Sequence, residues 1–239
     1  MAKLKKQHMT IHWKAIVQDD SSIPATEATL KEKATLVGRI GLMMLSVGTG
    51  AWRVRNSMNK VSRCLGITCT ADIGLLAISY TCIEGTDTYT QSISLPTTGV
   101  NTHKLMELEL FMKEFPDKVS TYSVKHIHEV LDEIQKLPAN YQAWNLGLAS
   151  ALACGAFTFL LGGGPVEMCC AFLGAGVGNF VRKKMLGHSI SLLANVAVSV
   201  AASCLVYVLT ILLAQQLLSV SAVHQAGHIC AMLFVIPGF

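Results

Sequence analysis

The sequence predicts a mainly α membrane protein, in which an N-terminal cytosolic α+β module of amphipathic helices plus a β-hairpin leads into a transmembrane helix bundle of about four spans. Three observations carry this. Charged residues make up 14% of the 239-residue chain and its mean hydropathy is +0.46, whereas soluble domains carry roughly 25% charged residues. The charges are also unevenly placed: of 19 Lys and Arg and 15 Asp and Glu, all but Glu167, Arg182, Lys183 and Lys184 precede residue 143. Past that point, apolar stretches near membrane-spanning length recur between short glycine-rich or polar breaks. The expected organisation is a basic flexible tail (1–25), the module (26–138) and the membrane helices (139–239).

The tail holds Lys3, Lys5, Lys6 and Lys14, but His8, Thr10 and His12 interrupt any apolar run, so it does not read as a signal peptide. Residues 18–25 read as a loop, with a helix start near Thr26 and Thr29. From Leu36, the residues Ile40, Met43, Val47, Ala51, Val54, Met58, Val61 and Leu65 recur in steps of three and four. That spacing predicts one long amphipathic helix, kinked at Gly48 and Gly50, stopped by Gly66 and carrying Arg39, Arg53, Arg55, Lys60 and Arg63 off its apolar stripe. Its apolar stretch Ile40–Val47 falls well short of the ~20 residues needed to cross a bilayer, so it packs on protein or lies along the membrane surface. Residues 75–82 and 88–94 are rich in Ile, Thr and Tyr around the turn residues Glu84-Gly85-Thr86-Asp87, which predicts a hairpin. Two helices follow, at 101–115 and 120–137, the second ended by Pro138.

The spans are expected at about 143–161, 166–181, 190–218 and 222–239. Tyr141 and Trp144 sit where an interfacial aromatic belt would lie, and Gly162-Gly163-Gly164-Pro165 ends the first span. The third is longer than a bilayer core of ~30 Å requires, which implies tilt. The Arg182-Lys183-Lys184 loop is basic while the neighbouring connections carry no charge. The tendency of basic loops to stay inside then puts this loop and the N-terminus in the cytosol of a multi-pass protein of the cell membrane.

Glu167 is the sharpest candidate for chemistry, because a carboxylate at membrane depth costs a few kcal/mol and points to an ion or proton path; the bland reading leaves it among the headgroups. His224 and His228, on one face of the fourth span, are its candidate partners, and Asn179 and Asn195 add polar groups on the second and third spans. Gly174 with Gly178, and Ala197 with Ala201 beside Ser199 with Ser203, form small-residue faces suited to close helix packing. Short glycine-interrupted spans are where transporters tend to place substrate sites. The net charge of +4, interleaved with acidic residues, does not make a nucleic-acid surface. His126 and His128 lie two apart on a helix and face different ways, the eight cysteines lack ligand-like spacing, and 162–164 lack the Lys and Ser/Thr of a phosphate loop. No metal, cofactor or catalytic set is therefore expected, and the cysteines read as small buried hydrophobes of a reducing compartment.

Several features together resemble the threonine/serine exporter family in its N-terminal, exporter-like portion. They are Gly48-Thr49-Gly50-Ala51-Trp52-Arg53-Val54, continuing through Met58 and the Arg63-Cys64-Leu65-Gly66 helix end; the β-rich stretch and two helices; Ala156-Phe157-Thr158-Phe159 with Gly162-Gly163-Gly164; and Val235-Ile236-Pro237-Gly238-Phe239. The resemblance implies export of threonine or serine driven by the proton gradient, with the lipid bilayer, a small polar substrate and a second membrane subunit or further copies of the chain as partners. In the family, the Pro-Gly sequence is followed by more of the span and further helices, so the chain is expected to be a fragment or one subunit of a split pair. Two alternatives remain: a subunit of a two-component exporter of dicarboxylates such as succinate, and a membrane-anchored interaction or regulatory subunit without transport of its own. A membrane hydrolase is disfavoured, since no nucleophile and base pair is visible.

Overall fold

The computed structural model describes residues 11–17, 23–95, 98–138, 143–185, 192–218 and 229–231. The chain divides into two units, residues 1–140 and 141–239.

The first unit is organised around helix α1 (Leu30–Ser46). A capping box starts it: the Glu32 N–H donates to Thr29 Oγ1 at 3.4 Å and the Thr29 N–H donates to Glu32 Oε2 at 3.0 Å, so two otherwise unpaired donors of the first turn find acceptors. Nearly all of α1 is buried, including Glu32, Lys33 and Arg39. The single long helix expected through Gly66 is instead two helices, α1 and α2 (Ala51–Cys64). The break lies at Gly48, whose φ of +82° is a left-handed conformation that glycine adopts without steric cost. Helix α2 keeps the predicted stripe, burying Val54, Met58 and Val61 while Arg53, Arg55 and Lys60 stay exposed.

The predicted hairpin is present and gains a strand on its outer side. Strands β1 (Thr68–Ile73), β2 (Ala77–Glu84) and β3 (Asp87–Ser94) form one antiparallel sheet in the order β1-β2-β3. Thr68–Ile73 alternates polar Thr68, Thr70 and Asp72 with Cys69, Ala71 and Ile73, the period of a half-buried strand. The inward residues Ile78, Tyr80 and Cys82 of β2 are buried. Gly38 of α1 permits the close approach of helix to sheet, since a Cβ there would lie 2.2 Å from the Tyr80 hydroxyl. Tyr80 donates to Gln91 Oε1 at 2.8 Å.

Helix α3 (Thr102–Lys118) runs past Pro116, where the sequence suggested an end at Phe115. Proline has no N–H to offer the Met112 carbonyl, and Lys60 of α2 donates to that oxygen at 2.8 Å. Helix α4 (Val124–Lys136) begins later than expected, at the Ser123 cap whose hydroxyl accepts from the His126 N–H.

The second unit contains α5 (Ala143–Leu160), α6 (Pro165–Met185) and α7 (Leu192–Leu218). Gly162, at φ +88°, closes the C-terminus of α5, and its N–H donates to the Phe159 carbonyl. Helix α6 is longer than the 166–181 expected and runs through Arg182, Lys183 and Lys184, cations favoured near a helix C-terminus. Among the described residues, one helix, Leu193–Leu217, is long and apolar enough to cross a membrane, and Trp144–Leu160 is a shorter apolar helix. Of the four spans expected, the third meets this length and hydropathy among the described residues. Helix α5 rises only about 27 Å at 1.5 Å per residue, and α6 carries Glu167 and three cations. Of the expected fourth span, residues 229–231 are described and are helical.

Candidate functional site

In the second unit, α6 lies between α5 and α7 and runs antiparallel to both, and its small residues serve two faces. A Cβ on Gly176 would meet Ala151 Cβ of α5 at 3.3 Å, while one on Gly174 would meet the Ser203 carbonyl oxygen of α7 at 2.9 Å. Gly147 and Gly155 of α5 face α6 in the same way, with Gly176 O and Met168 as their neighbours. Gly174 and Gly178 are both buried. Backbones approach closely here, which brings the polar side chains of neighbouring helices into reach of one another.

The polar groups on these faces are engaged. Asn179 Nδ2 donates to Ser150 Oγ of α5 at 2.6 Å and to the Ala175 carbonyl at 3.2 Å. Asn195 Nδ2 of α7 donates to the Arg182 carbonyl of α6 at 3.3 Å, and Ser199 Oγ donates to the Asn195 carbonyl at 2.7 Å. Ser203 Oγ donates to the Ala231 carbonyl, and Thr158 Oγ1 to the Cys154 carbonyl. Asn195, Ser199, Ser203 and Thr158 are all buried. The first three lie four residues apart, so they line one stripe of α7, continued by buried Tyr207 and Ile211.

Glu167 is 4% exposed, and its Oε2 accepts from the Gly164 N–H at 2.7 Å. It stands at the third position of α6 and reaches back to the residue before the helix, the reciprocal half of a capping box. Its charge also lies in the first turn, where the helix dipole favours an anion. The structure thus gives Glu167 a local role as a cap. The sequence-nominated residues do not all meet: Asn179 joins α6 to α5, Asn195 joins α7 to the end of α6, and Glu167 sits at the opposite end of α6. Ala197 and Ala201 are exposed, so the close-packed small face of α7 is the Ser199–Ser203 stripe and not the alanine pair; a step of two residues turns about 200° around a helix. His224 and His228 lie outside the described residues.

A second polar cluster, in the first unit, joins residues far apart in sequence. The Arg39 guanidinium, on α1, donates to the His128 carbonyl at 2.8 Å, to Gln135 Oε1 at 3.2 Å and to Asp132 Oδ1. His128 Nδ1 lies 3.1 Å from Arg39 Nη1 and, since guanidinium only donates, accepts there. The Trp13 ring stacks on the His128 ring, centroids 4.8 Å apart and planes within 8°, so Trp13, from the segment expected as a tail, is buried against the unit. Burial, reinforced by the Arg39 charge and opposed by Asp132, pushes the His128 pKa down to about 3. Arg39, read as off the apolar stripe of its helix, and His128, read only as a poor metal ligand, were not legible as partners. Among the described residues, no group of His, Cys, Asp and Glu is placed to hold a metal ion.

Searches of curated proteins and of solved structures return no match. The model of a protein family described as "Putative threonine/serine exporter" matches residues 35–239, which takes in most of both units. The chain belongs to the threonine/serine exporter family, a family of membrane amino-acid exporters.

Proposed function

We propose that this chain exports threonine and serine across the cell membrane, driven by the proton gradient, and that the substrate path runs beside the polar faces of α6 and α7. The single observation that carries this reading is the family match over residues 35–239. The amphipathic chemistry of the second unit supports it: large apolar side chains such as Leu193, Leu205, Leu212, Leu213 and Leu217 are exposed on α7, as a lipid-facing helix requires, while Asn195, Ser199 and Ser203 are buried on its other side. Hydroxyl and amide groups that bond one another can exchange those bonds for the hydroxyl, ammonium and carboxylate of a hydroxy amino acid.

In this reading the cell-membrane chain is multi-pass, with spans near 143–161, 166–181, 190–218 and 222–239. The module 26–138 and the basic Arg182–Lys184 loop lie in the cytosol, and the bundle is completed by a second subunit or further copies of the chain. Asn179 and Asn195 contact substrate, and Glu167, with His224 and His228, carries protons.

The test is threonine efflux from proteoliposomes containing the purified chain. An inward proton gradient is expected to accelerate efflux and a protonophore to remove the acceleration; rates equal to those of protein-free liposomes overturn transport by copies of this chain alone. Glu167→Gln separates the two roles of that residue, because a Gln side-chain oxygen still accepts from the Gly164 N–H while losing the titratable charge. The variant is expected to accumulate normally and transport severalfold more slowly, without the wild type's pH dependence. An unchanged pH profile would leave Glu167 as a helix cap only.

A further inference from the structure

Cys69 and Cys82 sit directly opposite each other on the antiparallel strands β1 and β2. Both side chains are on the core face of the sheet, at 7% and 0% exposure, and both are free thiols. The hydrogen-bonding character of their pairing follows from the turns on either side. Gly74 donates to the Ala77 carbonyl at 2.8 Å, which makes 74 and 77 the hydrogen-bonded pair closing the β1-β2 turn. Counting outwards in the observed register, hydrogen-bonded and non-hydrogen-bonded pairs alternate, and Cys69 with Cys82 falls on a non-hydrogen-bonded pair.

The other side of β2 agrees. Leu95 donates to the Leu76 carbonyl at 2.7 Å, so the even-numbered residues of β2, Cys82 included, turn their backbone groups toward β3 and away from β1. In a non-hydrogen-bonded pair the Cα atoms are about 4.5 Å apart and the side chains approach most closely. That separation falls at the short end of the range of about 4.4 to 6.8 Å that a disulfide spans, so the two sulfurs can bond without any movement of the strands.

We propose that Cys69 and Cys82 form a reversible redox pair, closing to an intramolecular disulfide when the protein meets a hydroperoxide. Cys69, the less buried sulfur, attacks first. Its thiolate displaces hydroxide from hydrogen peroxide, the O–O bond breaks, and Cys69 becomes a sulfenic acid. The Cys82 sulfur then attacks the Cys69 sulfur, the S–O bond breaks, and water leaves with the Cys82 proton. In sum, two thiols and one hydrogen peroxide give one disulfide and two waters. The greater exposure of Cys69, 7% against 0% for Cys82, favours this order, since the peroxide reaches it first. Thiol–disulfide exchange with a small dithiol such as dithiothreitol reopens it.

Purified full-length protein in detergent is exposed to hydrogen peroxide, remaining thiols are alkylated, and the unreduced digest is read by mass spectrometry. The expected product is a peptide pair linked through Cys69 and Cys82, lighter by two hydrogens and separated by dithiothreitol. In Cys82→Ser, Cys69 is expected to be trapped as a sulfenic acid by dimedone; in Cys69→Ser, Cys82 is expected to remain a thiol. Recovery of Cys69 and Cys82 as alkylated thiols from peroxide-treated wild type overturns the proposal, and so does linkage of Cys69 to nearby Cys64. The wild-type digest decides the matter even where a serine variant fails to fold.

Discussion

Arg39 shows how a single charge is accommodated inside the first unit. Its side chain is about 6% exposed while its partner Asp132 is 29% exposed, so the pair has one buried end and one end near solvent. A buried guanidinium is costly unless its donors find acceptors, and here a carboxylate, a backbone carbonyl, an amide and an imidazole supply them. His128 takes part only as a neutral ring, because burial and the adjacent Arg39 hold its pKa near 3, against 6.5 for a free histidine. The folded state therefore refuses a proton that the unfolded chain accepts below about 6.5. Stability from this site is complete above that pH and declines as pH falls toward 3, by about 2 kcal/mol at pH 5 from this one residue. Thermal unfolding of the wild type at pH 7.5 and pH 5 is expected to show a larger fall in Tm than the same pair of measurements on His128→Gln.

At the scale of elements, helix junctions are set by residues that sequence periodicity does not weigh. The stripe from Leu36 to Leu65 continues in register across the break at Gly48, so the apolar pattern alone reads as one helix, and it took the backbone's left-handed turn to divide it. Strand β1 lies outside the predicted hairpin, although residues 67–96 read as β-rich: of its inward residues Cys69, Ala71 and Ile73 only the last is a strong strand former, and its pairing to β2 fixes its register. In the second unit, helix α6 depends on having no side chain at Gly174, where a Cβ would lie 2.9 Å from a backbone oxygen that cannot swing aside. Gly174→Val is expected to separate α6 from α7 and cost about 1–3 kcal/mol. The measurement is the thermal midpoint in detergent, with Leu173→Val, an exposed position on the same helix, expected to shift it far less.

For the whole molecule, the change of composition near residue 140 coincides with the division into two units at residues 140 and 141. The second unit leaves large apolar residues such as Trp144, Phe159, Leu160, Leu209 and Leu217 exposed, a surface that water does not tolerate at this extent. The chain is expected to sediment with membranes and to stay there through alkaline carbonate washing. A monodisperse, detergent-free protein in the high-speed supernatant would contradict its place in the membrane.

The division near residue 140, the apolar faces of α2 and α4 and the family resemblance could all be read from residue order, because composition and helical periodicity are local properties that each segment carries wherever it ends up. The partners of the buried polar groups could not. Arg39 and Asp132 stand 93 residues apart, and nothing in either neighbourhood names the other. Cys69 and Cys82 look unrelated until strand register sets them side by side. Likewise Ser199 and Ser203 are packed and Ala197 and Ala201 exposed because of how α7 is rotated against α6, and rotation is chosen by the fit of two surfaces, which neither helix encodes alone.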